Sequence, residues 1–230
     1  MKRRLMSDSG LAPSVESVRL FPIPTTKDGV RINGTDMMIS EGLRELSDGE
    51  AVIGYGIPDD ITEKLTRAGV AVADSARDEI FLQANGELTA LGAMGKLMTA
   101  GEKALCDMKI GIVGYGRIGS ALCRLLLPVC SQLTVYTTRP EVRCQLGTYS
   151  VTSGLVGEWE GLDSLDALIN TAPAPLLSEV ARPEGVRVID LASGNNLSFW
   201  EGVEKYPSIP AVMYPESAAE IWYQSVLRLI

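Results

Sequence analysis

Gly114, Gly116 and Gly119, in the run "KIGIVGYGRIGSALCRLLL", stand at the spacing G-x-G-x-x-G. The pattern suits pyrophosphate binding when a strand precedes it and a helix follows. The first glycine permits a tight turn, the second lets the anion approach the main chain, and the third lets the helix pack closely on the strand. Unpaired N–H groups at the helix start, with the helix dipole behind them, then face the anion. Both flanks are present, because "KIGIV" is a β-rich run and "RIGSALCRLLL" repeats apolar residues at helical spacing. Tyr115, Arg117 and Ile118 complete this candidate cofactor-binding turn.

An earlier run, "AVIGYGIPDDITEKLTRAG", begins the same way with Gly54 and Gly56. It carries Asp59 where the third glycine would stand, with Pro58 and Asp60 beside it. Carboxylates there cap a helix but repel pyrophosphate. This turn reads as structural, or as facing a substrate cleft.

The strand after the nucleotide turn ends "VYTTRP". An acid at that point would accept bonds from ribose hydroxyls, whereas an arginine suits a 2′-phosphate. Thr137, Thr138 and Arg139, with no acid among them, favour NADP(H) over NAD(H). Two later runs, "ALINTAPAPLL" and "VRVIDLASGNN", end strands whose carboxyl ends converge on the ligand crevice of a doubly wound sheet. Asn170, Thr171, Ala172, Pro173 and Ser193 are therefore candidates for the nicotinamide side.

These residues need a scaffold of alternating strands and helices. Strands are expected at "VRLFPI", "AVIGY", "GVAVAD", "KIGIVG", "QLTVYT", "ALINTA", "VRVIDLA" and "AVMYP". Helical spacing marks "DDITEKLTRAG", "NGELTALGAMGKLMTAGEKAL", "GRIGSALCRLLL", "PLLSEVA" and "ESAAEIWYQSVLRLI". The fold class is α/β, with a doubly wound parallel-sheet Rossmann domain preceded by a smaller α/β domain. The division expected is 1–100 for the small domain with its linking helix and 101–230 for the nucleotide domain. In the linking segment, Gly92 and Gly95 are expected against a sheet, a ligand or simply a neighbouring helix.

Composition narrows the chemistry. The 230 residues are 46% hydrophobic and 22% charged, in the range of a folded globular protein. A net charge of −8 with scattered Lys and Arg points away from nucleic acid. The start, "MKRRLMSDSGLAPS", has no apolar run fit for a signal peptide, and no long apolar stretch follows, so a cytoplasmic protein without membrane contact is expected. Cys106, Cys123, Cys130 and Cys144 form no C-x-x-C pair, which points to reduced core residues and to no metal site. The chain has no histidine, so serine triads and histidine-based zinc sites are poor readings.

The runs "GYGRIGSALCRLL", "INTAPAPLL" and "VIDLASG", in this order, resemble the A subunit of bacterial dipicolinate synthase. They are more distantly similar to the cofactor domains of D-2-hydroxyacid dehydrogenases and S-adenosylhomocysteine hydrolase. The likeness runs from about residue 50 to the end and matches Gly114, Gly116, Arg117, Gly119, Arg139, Asn170, Thr171, Pro173 and Asp190 to Ser193. It implies a Rossmann NAD(P)-binding protein that works with a flavoprotein-like B subunit to oxidise dihydrodipicolinate to dipicolinate, the spore-core chelator of endospore formers. Relative to that family the first domain is truncated.

Gly194, Asn195 and Asn196 stand where the family has a proline and paired glycines, Leu91 replaces a family glutamate, and Glu216 and Ala219 depart from its pattern near the end. The resemblance assigns no catalytic residue. Arg117 or Ser193 could meet a substrate carboxylate, and Tyr214 or Glu216 could handle a proton. The expected activity is hydride transfer involving dihydrodipicolinate or a similar small carboxylic acid, with homo-oligomer formation left open. The alternative is a non-catalytic NADP(H)-binding subunit or degenerate homologue that docks a partner protein. A D-2-hydroxyacid dehydrogenase is disfavoured, since its Arg, Glu and His set cannot be assembled without histidine.

Overall fold

A computed structural model describes residues 3–4, 14–15, 17–42, 46, 49–99, 103–149 and 151–230. The stretch "MKRRLMSDSGLAPS" and the joint expected near residue 100 lie almost wholly outside the described residues. The chain forms two units, one of residues 1–82 with 219–230 and the other of residues 83–218.

In the first unit β1 (Arg3–Arg4) and β2 (Ser14–Val15) pair antiparallel. β3 (Ser17–Leu20), β4 (Glu50–Gly54) and β5 (Ala71–Asp74) form a parallel sheet in that order. A short helix, α1 (Ile39–Gly42), precedes β4, and α2 (Asp59–Arg67) crosses from β4 to β5. α2 holds Asp59 and Asp60 in its first turn and Lys64 and Arg67 in its last, charges that suit the helix dipole. It buries Ile61 and Leu65 in a core with Val52 and Val70. The long helix α3 (Glu79–Thr99) starts at Asp78, whose Oδ1 accepts from the amides of Ile80 and Phe81 at 3.0 and 3.2 Å.

The second unit runs through β6 (Lys109–Val113), α4 (Arg117–Leu126), β7 (Gln132–Thr137), α5 (Pro140–Gly147) and β8 (Thr152–Leu155). It continues with β9 (Ala167–Asn170), β10 (Arg187–Asp190), β11 (Glu204–Lys205) and α6 (Ile209–Met213). The six strands are parallel in the order β11-β10-β9-β6-β7-β8. Counted within the unit this is 6-5-4-1-2-3, the dinucleotide-binding order, with its switch point between β6 and β9.

Alternation along each strand sends side chains to opposite faces. Ile110, Ile112, Val135, Ile169 and Ile189 share one core with Ala90, Ala93 and Leu97 of α3 and Leu122 and Leu126 of α4. Val113, Tyr136, Leu168 and Val188 share the other with Leu177, Leu197 and Trp200. Both faces being covered explains why these strands read as continuous apolar runs. The last helix, α7 (Pro215–Leu229), returns the chain to the first unit, where Ser225 and Arg228 donate to Asp78 Oδ2 at 2.6 and 2.7 Å. Burial raises the Asp78 carboxyl, but these two bonds and the Phe81 amide outweigh it and hold it below the ordinary carboxylate value.

Three sequence expectations are corrected. "AVMYP" is not a strand, because residues 209–213 form α6 with Pro210 in its first turn, and the edge strand is β11 instead. Pro is well suited to a first helical turn, where its missing N–H costs nothing. "PLLSEVA" is not a helix either. It is a string of turns, Ser178 to Pro175 and Val180 to Leu177, short and bounded by Pro175 and Pro183, that buries Leu177. Of the four free cysteines Cys123 is buried and Cys130 half-buried, while Cys106 and Cys144 are exposed rather than core residues.

The amino end of β10 is fixed by Arg187, which forks onto Glu204 at 2.7 and 2.8 Å and donates to the Lys96 carbonyl at 3.2 Å. Tyr206 donates to Glu204 at 2.5 Å. The Arg187 bond, chiefly, holds the Glu204 carboxyl below its ordinary value against the upward push of burial, and the Tyr206 hydroxyl adds to this. A depressed carboxylate stabilises the fold above its unfolded pKa, and that stabilisation is lost as pH falls through the folded value. Arg187→Met is therefore expected to cost about 1 to 2 kcal/mol near neutral pH in denaturant unfolding. The gap from the unsubstituted protein should narrow below about pH 4.

Candidate functional site

The two glycine turns have different fates. In the first, the turn amides of Tyr55, Gly56 and Ile57 all have acceptors inside the chain. Tyr55 N–H donates to Thr25 Oγ1 at 2.8 Å, and Gly56 and Ile57 donate to the two oxygens of Asp74 at 2.9 and 3.0 Å. Asp74 ends β5 and also accepts from Ala76 at 2.8 Å. Its carboxylate sits where a phosphate would, so this turn is structural. Asp59 and Asp60 point the same way in the sequence, but the group on the amides is Asp74.

The second turn is open. Gly114 leaves β6 at φ +93°, and a Cβ there would stand 2.8 Å from Thr171 Oγ1. A Cβ on Gly119 would fall on the Gly114 carbonyl oxygen, so α4 packs this closely because the third position is glycine. Around Gly116, at the start of α4, a Cβ would meet empty space. Among the described residues no side chain bonds the main-chain amides of Tyr115, Gly116 or Ile118. Tyr115 and Ile118 pack against the helical core, and Arg117 starts α4 with its Cβ beside Gly86.

Arg139, before α5, donates through its guanidinium to the Tyr115 carbonyl, which brings it across the glycine turn. Thr137 is buried and accepts the Arg139 amide at 3.2 Å, so it shapes the loop, while Thr138 is exposed. The turn after β9 abuts the glycine turn. Thr171 donates to the Val113 carbonyl at 2.9 Å, and Ala172 lies within 3.3 Å of the Cβ position of Gly114, with Pro173 exposed beyond it.

Asn170 does not reach outward. Its amide donates to Asp190 Oδ1 at 2.9 Å and to the Ala172 carbonyl at 3.2 Å, and it accepts from the Ala172 amide at 3.2 Å. Asp190 Oδ1 also accepts from Ala192, tying the β9 and β10 loops together. The other oxygen of Asp190 is buried with no hydrogen-bond partner, a state that costs about 1 to 3 kcal/mol unless a donor from outside reaches it. The sequence match included Asp190, but nothing in the sequence showed its tie to Asn170.

Ser193 is exposed on the β10 loop, which Asn196 closes by donating to the Ser193 carbonyl at 2.7 Å. Tyr214 follows α6 and lies with Ile209 and Met213 over Gly92. Gly92 and Gly95 thus face a helix, the plainest of the expected neighbours. Glu216 is exposed at the start of α7, and the structure does not bond it to the residues of the glycine turn.

Fold and turn together define a Rossmann-type α/β architecture. The chain matches the crystal structure of the dipicolinate synthase A subunit from Bacillus halodurans with a TM-score of 0.76 and 18% identity, over 94% of this chain and 80% of that one. The corresponding protein from Bacillus subtilis gives 0.72 and 17%, over 94% and 78%. An L-alanine dehydrogenase gives 0.54 and 17%, over 80% and 65%. Comparison with protein-family models and with curated proteins finds no match. Among the described residues no helix is long and apolar enough to cross a membrane, and no acidic or cysteine cluster could hold a metal ion.

Asp74→Ala removes the acceptor of three amides and is expected to destabilise the first unit by about 2 kcal/mol in denaturant unfolding. Asp74→Asn keeps an acceptor oxygen and should lose less.

Proposed function

We propose that the chain is an NAD(P)-dependent oxidoreductase similar to the A subunit of dipicolinate synthase, with NADP(H) favoured. The observation that carries this reading is that, among the described residues, no side chain bonds the amides of Tyr115, Gly116 and Ile118 at the switch point of the six-stranded sheet. The residues present fit the cofactor, because a pyrophosphate requires bare main chain at Gly116 and finds it. The amides of Tyr115, Gly116 and Ile118 would hold the pyrophosphate, with Arg139 and Thr138 at a ribose 2′-phosphate. Ala172, Pro173 and Ser193 would border the nicotinamide.

When bound, the cofactor supplies the hydride chemistry. The chain's part is to orient it and to close it off from water. The substrate in this reading is dihydrodipicolinate or a similar small carboxylic acid, and a flavoprotein-like B subunit is its partner. The fully engaged amide of Asn170 and the absence of histidine favour one second reading, a non-catalytic NADP(H)-binding protein.

Nicotinamide fluorescence separates the readings. NADPH should bind at one site per chain, and NADH about 10- to 100-fold more weakly, the worth of a charge-assisted phosphate contact. Arg139→Ala should erase that preference. Gly116→Asp, which places a carboxylate at the open turn as Asp74 does at the first, should abolish binding with little loss of thermal stability. Turnover of dihydrodipicolinate, alone or with a flavoprotein partner, supports the enzyme. Binding without turnover supports the second reading, and no NADPH binding overturns both.

A further inference from the structure

We infer that Lys205 is the cation that receives a carboxylate of a small dicarboxylate substrate, an assignment that rests on the oxidoreductase reading above. Register places it. Val113, Asn170, Asp190 and Lys205 pair in one row across β6, β9, β10 and β11 at the carboxyl edge of the sheet. With strands about 4.8 Å apart, the Lys205 backbone stands about 10 Å from Asn170 and about 14 Å from the end of β6. That is the half of the crevice away from the phosphate turn, where a substrate would lie beside the nicotinamide.

Charge then singles it out. The segments leaving the three strands of this half read "TAPAP" after β9, "LASGNNL" after β10 and "YPS" after β11, and they contain no Lys or Arg. Arg187 sits at the amino end of β10 and is engaged with Glu204, and Arg139 lies over the glycine turn. Lys205 closes β11 and forms no ion pair among the described residues. In a chain of net charge −8, an unpaired ammonium at the carboxyl edge is what a dianion needs to approach.

The loop holds the ammonium in place. Lys205 Nζ donates to Asn195 Oδ1 at 2.7 Å and to the Gly194 carbonyl at 3.4 Å. Gly194 adopts φ +92°, a conformation that favours glycine, and Asn196 clamps Ser193, so the loop presents both acceptors toward Lys205. An ammonium has three donors, and two are engaged with neutral acceptors. The third remains for an anion. Arg117 and Ser193, the carboxylate candidates of the sequence, are replaced in that role by Lys205.

The probe is dipicolinate, titrated by calorimetry into the protein saturated with NADPH, after NADPH binding has been measured separately. The unsubstituted protein should bind it with an affinity that falls as salt rises. Lys205→Gln, which keeps a polar head for Asn195 but no charge, should bind NADPH within about twofold of the unsubstituted protein. It should bind dipicolinate about 10- to 100-fold more weakly, with the salt dependence flattened. Lys205→Arg should restore affinity to within about threefold, since the charge is kept.

Failure of NADPH to bind the unsubstituted protein would sink the oxidoreductase reading itself. NADPH binding without dipicolinate binding would overturn the Lys205 assignment alone. So would a Lys205→Gln protein that binds dipicolinate as tightly as before, even with a lowered melting temperature, because that is the behaviour of a loop clamp.

Discussion

A helix that begins at the end of a parallel strand leaves its first amides without intrahelical acceptors, and something must supply them. This constraint is met twice in the chain, in opposite ways. At the first turn the acceptors are internal, with Asp74 reaching back from the neighbouring strand to Gly56 and Ile57. At the second, the strand beside the turn ends at Thr137, with Arg139 following and no acid there, and among the described residues no side chain accepts from the amides of Gly116 and Ile118. One carboxylate separates a closed turn from an open one.

The rest of the second unit keeps that opening in place. Gly119 lets α4 lie against Gly114, and Thr171 and Ala172 back the turn from β9. The Asn170–Asp190 bond locks the next two loops to each other. These contacts are short, buried and mostly neutral, which suits a site that must stay rigid while a charged ligand comes and goes. The covering of the sheet is uneven in kind. Helices pack one face, and strings of turns anchored by Leu177, Leu197 and Trp200 pack the other, with Trp200 donating to the Val180 carbonyl to join two of them.

Much of this was legible because it is local. The strand, glycine turn and helix at 109–126 follow from apolar periodicity and from three glycines with three steric duties, and α2 from its charges and its buried Ile61 and Leu65. What escaped the sequence depends on partners far along the chain. "AVMYP" has strand-like composition, yet Ile209 and Met213 are needed to cover Gly92, and that contact makes the segment a helix. "PLLSEVA" has helical spacing, but one buried leucine satisfies its core without a helix. Asn170 read as a ligand-facing polar residue because its partner Asp190 is twenty positions on. Lys205 went unnoticed because an isolated lysine carries no signal until register sets it on the carboxyl edge.

Hydrogen exchange resolved by peptide, with and without saturating NADPH, puts the central claim to its most direct test. Amides of Tyr115, Gly116 and Ile118 should exchange quickly in the free protein and become strongly protected on binding, while those of Gly56 and Ile57, already bonded to Asp74, should not change. Unchanged exchange at residues 115–118 in the presence of bound NADPH, or protection centred on the first turn, would contradict the account.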